Sequence, residues 1–157
     1  MDITNPDKSS TSTSINIGSQ ICFDLRFAEP AIALRQLGAH VLVYPSAFTV
    51  ATGRAGHWET LLRARAVETQ SYVLAAAQCG RHNARRVSYG DALAVAPDGT
   101  VLGRLDRVEE EEEEEEKARE PQLLTVDIDL NVVARTRRAI PLIRREDVYG
   151  RVGQQET

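Results

Sequence analysis

An α/β fold, with a sheet layered by helices, is predicted by three features of the 157-residue sequence. A strand-helix-strand pattern runs from Ile15 to Tyr44, a second crossover follows it to Gln78, and two further strands flank the reverse-turn sequence Pro97-Asp98-Gly99. Consecutive crossovers imply a sheet covered by the intervening helices, and the later pair adds an antiparallel hairpin.

Residues 1–14 are small and polar, with side chains that compete for backbone hydrogen bonds, so they read as a flexible tail. The alternation of Ile15, Ile17, Ser19 and Ile21 predicts a strand ending at Cys22. Pro30 suits a first helical turn, and Ala31, Ile32, Leu34 and Leu37 give that helix an apolar side before Gly38 stops it. The β-branched run from His40 to Tyr44 predicts a buried strand bounded by Gly38 and Pro45. Residues 46–55 form a loop. Trp58, Leu61, Leu62 and Ala66 then define one helical stripe, with Glu59 and Arg63 pointing away from it.

Residues 71–78 are placed as the next strand by their position in the order, although three consecutive alanines have weak strand preference. Strands over 88–96 and 100–107 follow, joined by the turn. The eight glutamates Glu109 to Glu116 repel one another and predict a solvated inserted loop over 108–121. Residues 123–128 resume as a strand beside the hairpin, and Asp129 caps a helix carrying Leu130, Val133 and Ile140 as far as Pro141. The polar end from Arg144 is expected to wrap the surface, with 151–157 as a tail.

The length suits one domain with a core, burying roughly 68–70% of the unfolded surface. A net charge of −4 provides no broad basic field for nucleic acid. No run approaches a membrane span and no basic-then-apolar leader opens the chain, so neither a nucleic-acid nor a membrane partner is expected. Cys22 and Cys79 are too few and too separated for a disulfide framework or a paired-cysteine metal site, which points to a reducing, cytoplasmic setting.

Cys22 lies where a strand runs into a helix start, a place where a side chain faces outward beside free backbone N–H groups. A thiol has a free pKa of about 8.5 and needs a base or a cationic neighbour to act as a nucleophile. His40, His57 and His82 are candidates for a Cys/His pair, although each alone reads as structural. Asp24 and Arg26 follow the thiol, and Arg26 is expected to pair with Glu29 or another carboxylate and fix the turn. Cys79 reads as a buried structural thiol, and Arg81, Arg85 and Arg86 as an exposed basic loop.

The stretch Cys22-Phe23-Asp24-Leu25-Arg26-Phe27-Ala28-Glu29 resembles the nucleophile motif of the nitrilase superfamily, the carbon-nitrogen hydrolases, whose usual form has proline where Ala28 stands. The likeness continues in order through Tyr44-Pro45-Ser46-Ala47-Phe48, His57-Trp58-Glu59, Leu62 to Glu68, Ala76 to Gly80 and Ser88-Tyr89-Gly90. It implies a four-layer αββα sandwich assembled as homo-oligomers. It also implies an amidase that uses no cofactor or metal and acts on a small-molecule amide. Cys22 would be the nucleophile and the backbone N–H of Phe23 one donor to the oxyanion, a kind of contact commonly worth about 2.7–4 kcal/mol.

In the family a glutamate base and a lysine lie well before the cysteine. Here no glutamate precedes Glu29, and Lys8 is the sole upstream lysine, closer than the family spacing. Glu59 and Glu68 match family positions but are expected to orient loops and helices. The expectation is therefore a partial domain over residues 15–150, corresponding to the C-terminal half, with a mitochondrial address open if a preceding segment carried a signal. Two other readings stand beside the amidase: a catalytically silent module that pairs with complete family members, and a Cys/His thiol hydrolase.

Overall fold

A computed structural model describes residues 14–108, 120–145 and 147–148. The sequence-predicted polar tail, apart from Ser14, the glutamate run and the 151–157 tail lie outside the described residues. A five-stranded sheet carries the rest. Its order is β1 (Ile17–Ser19), β2 (Val41–Val43), β3 (Tyr72–Ala75), β6 (Leu93–Val95) and β7 (Val101–Arg104), with a separate ribbon of β4 (Cys79–Asn83) and β5 (Arg86–Tyr89).

Strands β1 to β3 are parallel, with Gly18 opposite Leu42 and Leu42 opposite Val73. Helix α1 (Ala28–Gln36) makes the first crossover. A short α2 (Val50–Arg54) and the longer α3 (His57–Thr69) make the second. Strands β6 and β7 then join antiparallel, as the hairpin required. At its turn Gly99 N–H donates to Ala96 O at 2.9 Å and Gly99 adopts φ +88°, a conformation glycine takes without strain.

The two faces of the sheet have different covers. Leu42, Tyr44, Val73, Leu93 and Val95 pack with Trp58, Leu62 and Ala66 of α3 and Ala31 of α1 in the larger core. On the other face Val41, Tyr72 and Ala96 meet Val133 of α4 (Leu130–Ala139), with Ile128 and Val132 beside them. The Asp129 side chain caps α4, accepting from Asn131 N–H at 2.8 Å, as its place in the sequence predicts. Only one sheet of more than two strands occurs among the described residues, so the chain provides part of the implied sandwich.

Several expected elements differ. The first strand is shorter than 15–22, but its pairing continues through Gln20 N–H to Val43 O and Cys22 N–H to Pro45 O, at 3.0 and 3.1 Å. The 46–55 loop contains α2, whose Thr49 side chain accepts from Thr52 N–H. The expected strand 88–96 is broken into β5 and β6, because Gly90 and Asp91 take φ +82° and +63° and redirect the chain from the ribbon into the main sheet. Residues 123–128 form no strand. They run with alternate burial, Leu124, Val126 and Ile128 turned inward, without a backbone ladder. Ile140, expected on the buried stripe of α4, is 62% exposed at the C-cap.

Candidate active site

Cys22 opens a 3-10 turn, Cys22–Arg26, at the carboxyl end of β1. That is the edge at which open α/β sheets place their ligands. Its backbone has φ +43°, in the left-handed region that costs a residue with a Cβ about 1–2 kcal/mol. The conformation is held from both sides. Cys22 N–H donates to Pro45 O, just past β2, and Asp24 folds back so that its carboxylate accepts from Ile21 N–H at 2.9 Å while its own N–H donates to Ile21 O. Between them the Phe23 N–H has no acceptor among the described residues. The turn therefore presents a half-buried thiol beside an open donor, the pairing needed to stabilise an oxyanion formed at the thiol.

The base of this turn is fixed by α3. Leu25 is fully buried, and its carbonyl accepts from Arg65 Nη2 at 2.9 Å. Arg65, 4% exposed, also donates through Nη1 to Glu68 Oε2 at 2.9 Å, so a nearly enclosed guanidinium joins the helix to the turn that carries Cys22. Arg65 was not singled out in the sequence. Its position three residues after Leu62, and one before Ala66, places it on the buried stripe, and that spacing was the available signal. Glu68 orients Arg65, and Glu59 holds Arg104 at 2.6 Å and Arg63 at 3.4 Å, so both glutamates have the orienting roles expected of them.

Arg26 corrects an expectation. It makes no ion pair with Glu29 among the described residues; its guanidinium lies 5.6 Å from the Phe23 ring and 5.2 Å from the Phe48 ring. Glu29 sits exposed in the first turn of α1, whereas the two rings flank the arginine and attract it through their π faces. Phe23 and Phe27 are 63% and 51% exposed, with ring centroids 5.9 Å apart, forming an apolar rim next to the thiol.

None of the three histidines is hydrogen-bonded to Cys22 among the described residues. His40 stands before β2, at the end of the parallel strands opposite Cys22, and its Nδ1 accepts from Asn16 N–H. His57 opens α3, and His82 Nε2 bonds the Ser88 hydroxyl across the ribbon at 2.7 Å. Cys79 is half-buried rather than fully enclosed, donating its thiol toward the carbonyls of Tyr89 and Asp106. Arg85 and Arg86 are exposed at the ribbon turn.

Buried polar groups cluster beneath the turn. Both amide atoms of Gln20, the Tyr44 hydroxyl and Arg65 Nε have no hydrogen-bond partner among the described residues. Burial pushes the Tyr44 phenol well above the usual tyrosine range, against the smaller opposing pull of Arg65. Further along, Asp91 is 2% exposed with its carboxylate 3.6 Å from Arg104, and burial holds its carboxyl above the usual range. Trp58 Nε1 donates to the Asp91 carbonyl at 2.7 Å, tying that residue to α3. No group of three or more His, Cys, Asp or Glu among the described residues is placed to hold a metal ion, and no described helix is long and apolar enough to cross a membrane.

Comparison with known proteins places these features in context. A model of the carbon-nitrogen hydrolase family matches residues 5–138. The chain is 50% identical over 133 residues to the probable hydrolase nit2 of Schizosaccharomyces pombe, covering 85% of this chain and 45% of that one. It is 49% identical over 139 residues to human deaminated glutathione amidase, covering 87% and 38%. Among solved structures, the Caenorhabditis elegans NitFhit protein superposes with a TM-score of 0.70 at 43% identity, over 85% of this chain and 30% of its own. The chain thus spans less than half the length of each of these relatives.

Proposed function

The chain belongs to the carbon-nitrogen hydrolase family, and we propose that it forms the nucleophile-bearing part of an amidase in which Cys22 attacks the amide carbonyl of a small metabolite. The observation that carries this reading is the strained turn itself. Cys22 is held at φ +43° at a strand end with the unengaged Phe23 N–H beside it. Non-glycine residues held in this region cluster at active sites.

In the proposed reaction the Cys22 thiolate adds to the carbonyl carbon of R–CO–NH2, and the oxyanion accepts a hydrogen bond from Phe23 N–H. The amide nitrogen takes the proton that the base received from the thiol, and collapse expels it as ammonia and leaves a thioester on Sγ. Water then cleaves the thioester, giving R–COO⁻, the free thiol and a proton that the ammonia accepts. The base that accepts the thiol proton, and a second oxyanion donor, have no counterpart among the described residues near Cys22. We assign them to chain beyond this segment, either in a longer polypeptide or in an associated copy. Deaminated glutathione is the substrate suggested by the name of the human relative. A homo-oligomer in the cytoplasm is the setting consistent with this reading.

The test is ammonia release from deaminated glutathione by this 157-residue chain, a Cys22→Ala variant and a full-length relative, separately and mixed. Activity in the relative, and in this chain only with a partner supplying the missing groups, is the expected pattern. Ammonia release by the chain alone, lost in Cys22→Ala, would place the whole catalytic set within these residues. Inhibition of the relative by the inactive chain would favour the silent pairing module instead. Activity surviving in Cys22→Ala would overturn the assignment of the nucleophile.

A further inference from the structure

At the end of the sheet opposite Cys22, the C-terminal ends of α1, α3 and α4 meet residues 141–144 around a cavity of about 360 Å3. Arg35, Arg137 and Arg144 stand in its wall with Glu68, and Pro141, Leu142 and Ile143 form an apolar side. The three arginines have different surroundings. Arg137 donates to the carbonyls of Ala39 and Gln70 at 2.7 and 3.3 Å and to the Ser71 hydroxyl at 3.1 Å, so it serves the loops that lead into β2 and β3. The negative ends of three helix dipoles, about half a charge each, further account for a cation at this place. Glu68 is already engaged by Arg65 at 2.9 Å.

Arg35 and Arg144 are left over. Neither has an acceptor or a carboxylate among the described residues, and each lies in the other's field; burial first, and then Arg144, lowers the Arg35 pKa. Burial and the neighbouring Arg35 likewise bring Arg137 down to about 10. Like charges drawn together around a cavity with no carboxylate bound to them are stabilised by an anion placed between them.

We propose that this cavity binds a phosphomonoester, the phosphate bridging Arg35 and Arg144 and the organic substituent lying on Pro141, Leu142 and Ile143. The guanidinium fork matches phosphate oxygens in geometry, and a phosphate charge of about −1.5 to −2 at neutral pH balances two guanidiniums. The volume lies within the roughly 300–1,000 Å3 of small-molecule sites and exceeds what a bare phosphate fills. Leu142 and Ile143 are 50% and 86% exposed, which leaves apolar surface for a substituent to cover. This site is independent of the chemistry at Cys22.

The experiment is calorimetric titration of the 157-residue chain with phenyl phosphate, inorganic phosphate and sodium chloride at matched ionic strength. Saturable binding is expected for both phosphates, tighter for phenyl phosphate, and weakened at least tenfold in Arg35→Gln and in Arg144→Gln. Arg144 is exposed, so its variant keeps the fold and decides the matter if Arg35→Gln does not. As a second readout, bound phosphate should raise the His40 imidazole pKa followed by NMR, because Arg35, which helps lower it, is then neutralised. Binding of equal strength in the Arg144 variant, or an effect reproduced by chloride, overturns the proposal.

Discussion

Arg65 Nη2 and the Leu25 carbonyl, 40 residues apart in sequence, are joined by a 2.9 Å hydrogen bond that pins the Cys22 turn to α3. The bond lies three residues beyond Cys22, so a buried cation with no hydrogen bond to the thiol holds the turn that carries it. Leu25 O would be orphaned without it, in a place where water has little access.

Replacing Arg65 with methionine is expected to keep much of the packed volume while leaving that carbonyl and Glu68 unpaired. A loss of about 2 kcal/mol in urea unfolding follows from stranding a buried acceptor. Glu68→Gln should lose less than about 1 kcal/mol, because its side chain is 41% exposed and water replaces the lost interaction. Equal losses in the two variants would show that the ion pair, and not the bond to Leu25, holds the turn.

The backbone at Cys22 offers a direct test of strain. Cys22→Gly and Cys22→Ala both remove the thiol, but only glycine adopts φ +43° without a Cβ penalty. The glycine variant should be the more stable of the two by about 1 kcal/mol. An alanine variant as stable as the glycine one would mean the turn is unstrained.

Asp91 gives a pH dependence whose sign is fixed by its burial. Its folded-state pKa is raised, chiefly by desolvation, so the folded chain holds this proton more readily than the unfolded chain. The ionised group therefore opposes folding above the folded pKa, and that handicap fades as the pH falls through it. Asp91→Asn, which also tolerates the residue's positive φ, should melt at or above the parent at pH 7, with the gap closing in acid. A variant that melts well below the parent at pH 7 would show that the charge pair with Arg104 outweighs desolvation.

His40 acts in the other direction. Burial, then Arg137 and Arg35, lowers its folded pKa, so the unfolded chain takes up this proton first as the solution is acidified. Its contribution is present above the unfolded value of about 6.5 and is lost as the pH falls through the lower folded value. His40→Gln should reduce the stability lost between pH 7 and pH 5 in urea titrations; an unchanged loss would place the acid sensitivity elsewhere.

Periodicity identified α3 through Trp58, Leu62 and Ala66, and local chemistry identified the Asp129 cap and the turn at Gly99. These features rest on residues close together in sequence, where spacing maps directly onto a face or a dihedral. The division of 88–96 was hidden, because Asp91 carries a positive φ that its residue type permits but does not require. Residues 123–128 alternate as a strand would, yet alternation reports which side faces inward and says nothing of whether a neighbouring strand offers its backbone.

The sequence by itself determined the crossover order, the covering helices and the position of Cys22 at a strand-to-helix junction, since these follow from local pattern and composition. Tertiary structure alone decided that Arg26 stacks on Phe23 and Phe48 rather than pairing with Glu29, and that Arg65 reaches Leu25. A long cationic side chain can satisfy its charge with any carbonyl, carboxylate or ring within reach. Which of them is within reach is set by how the helices cross the sheet, not by the spacing of residues along the chain.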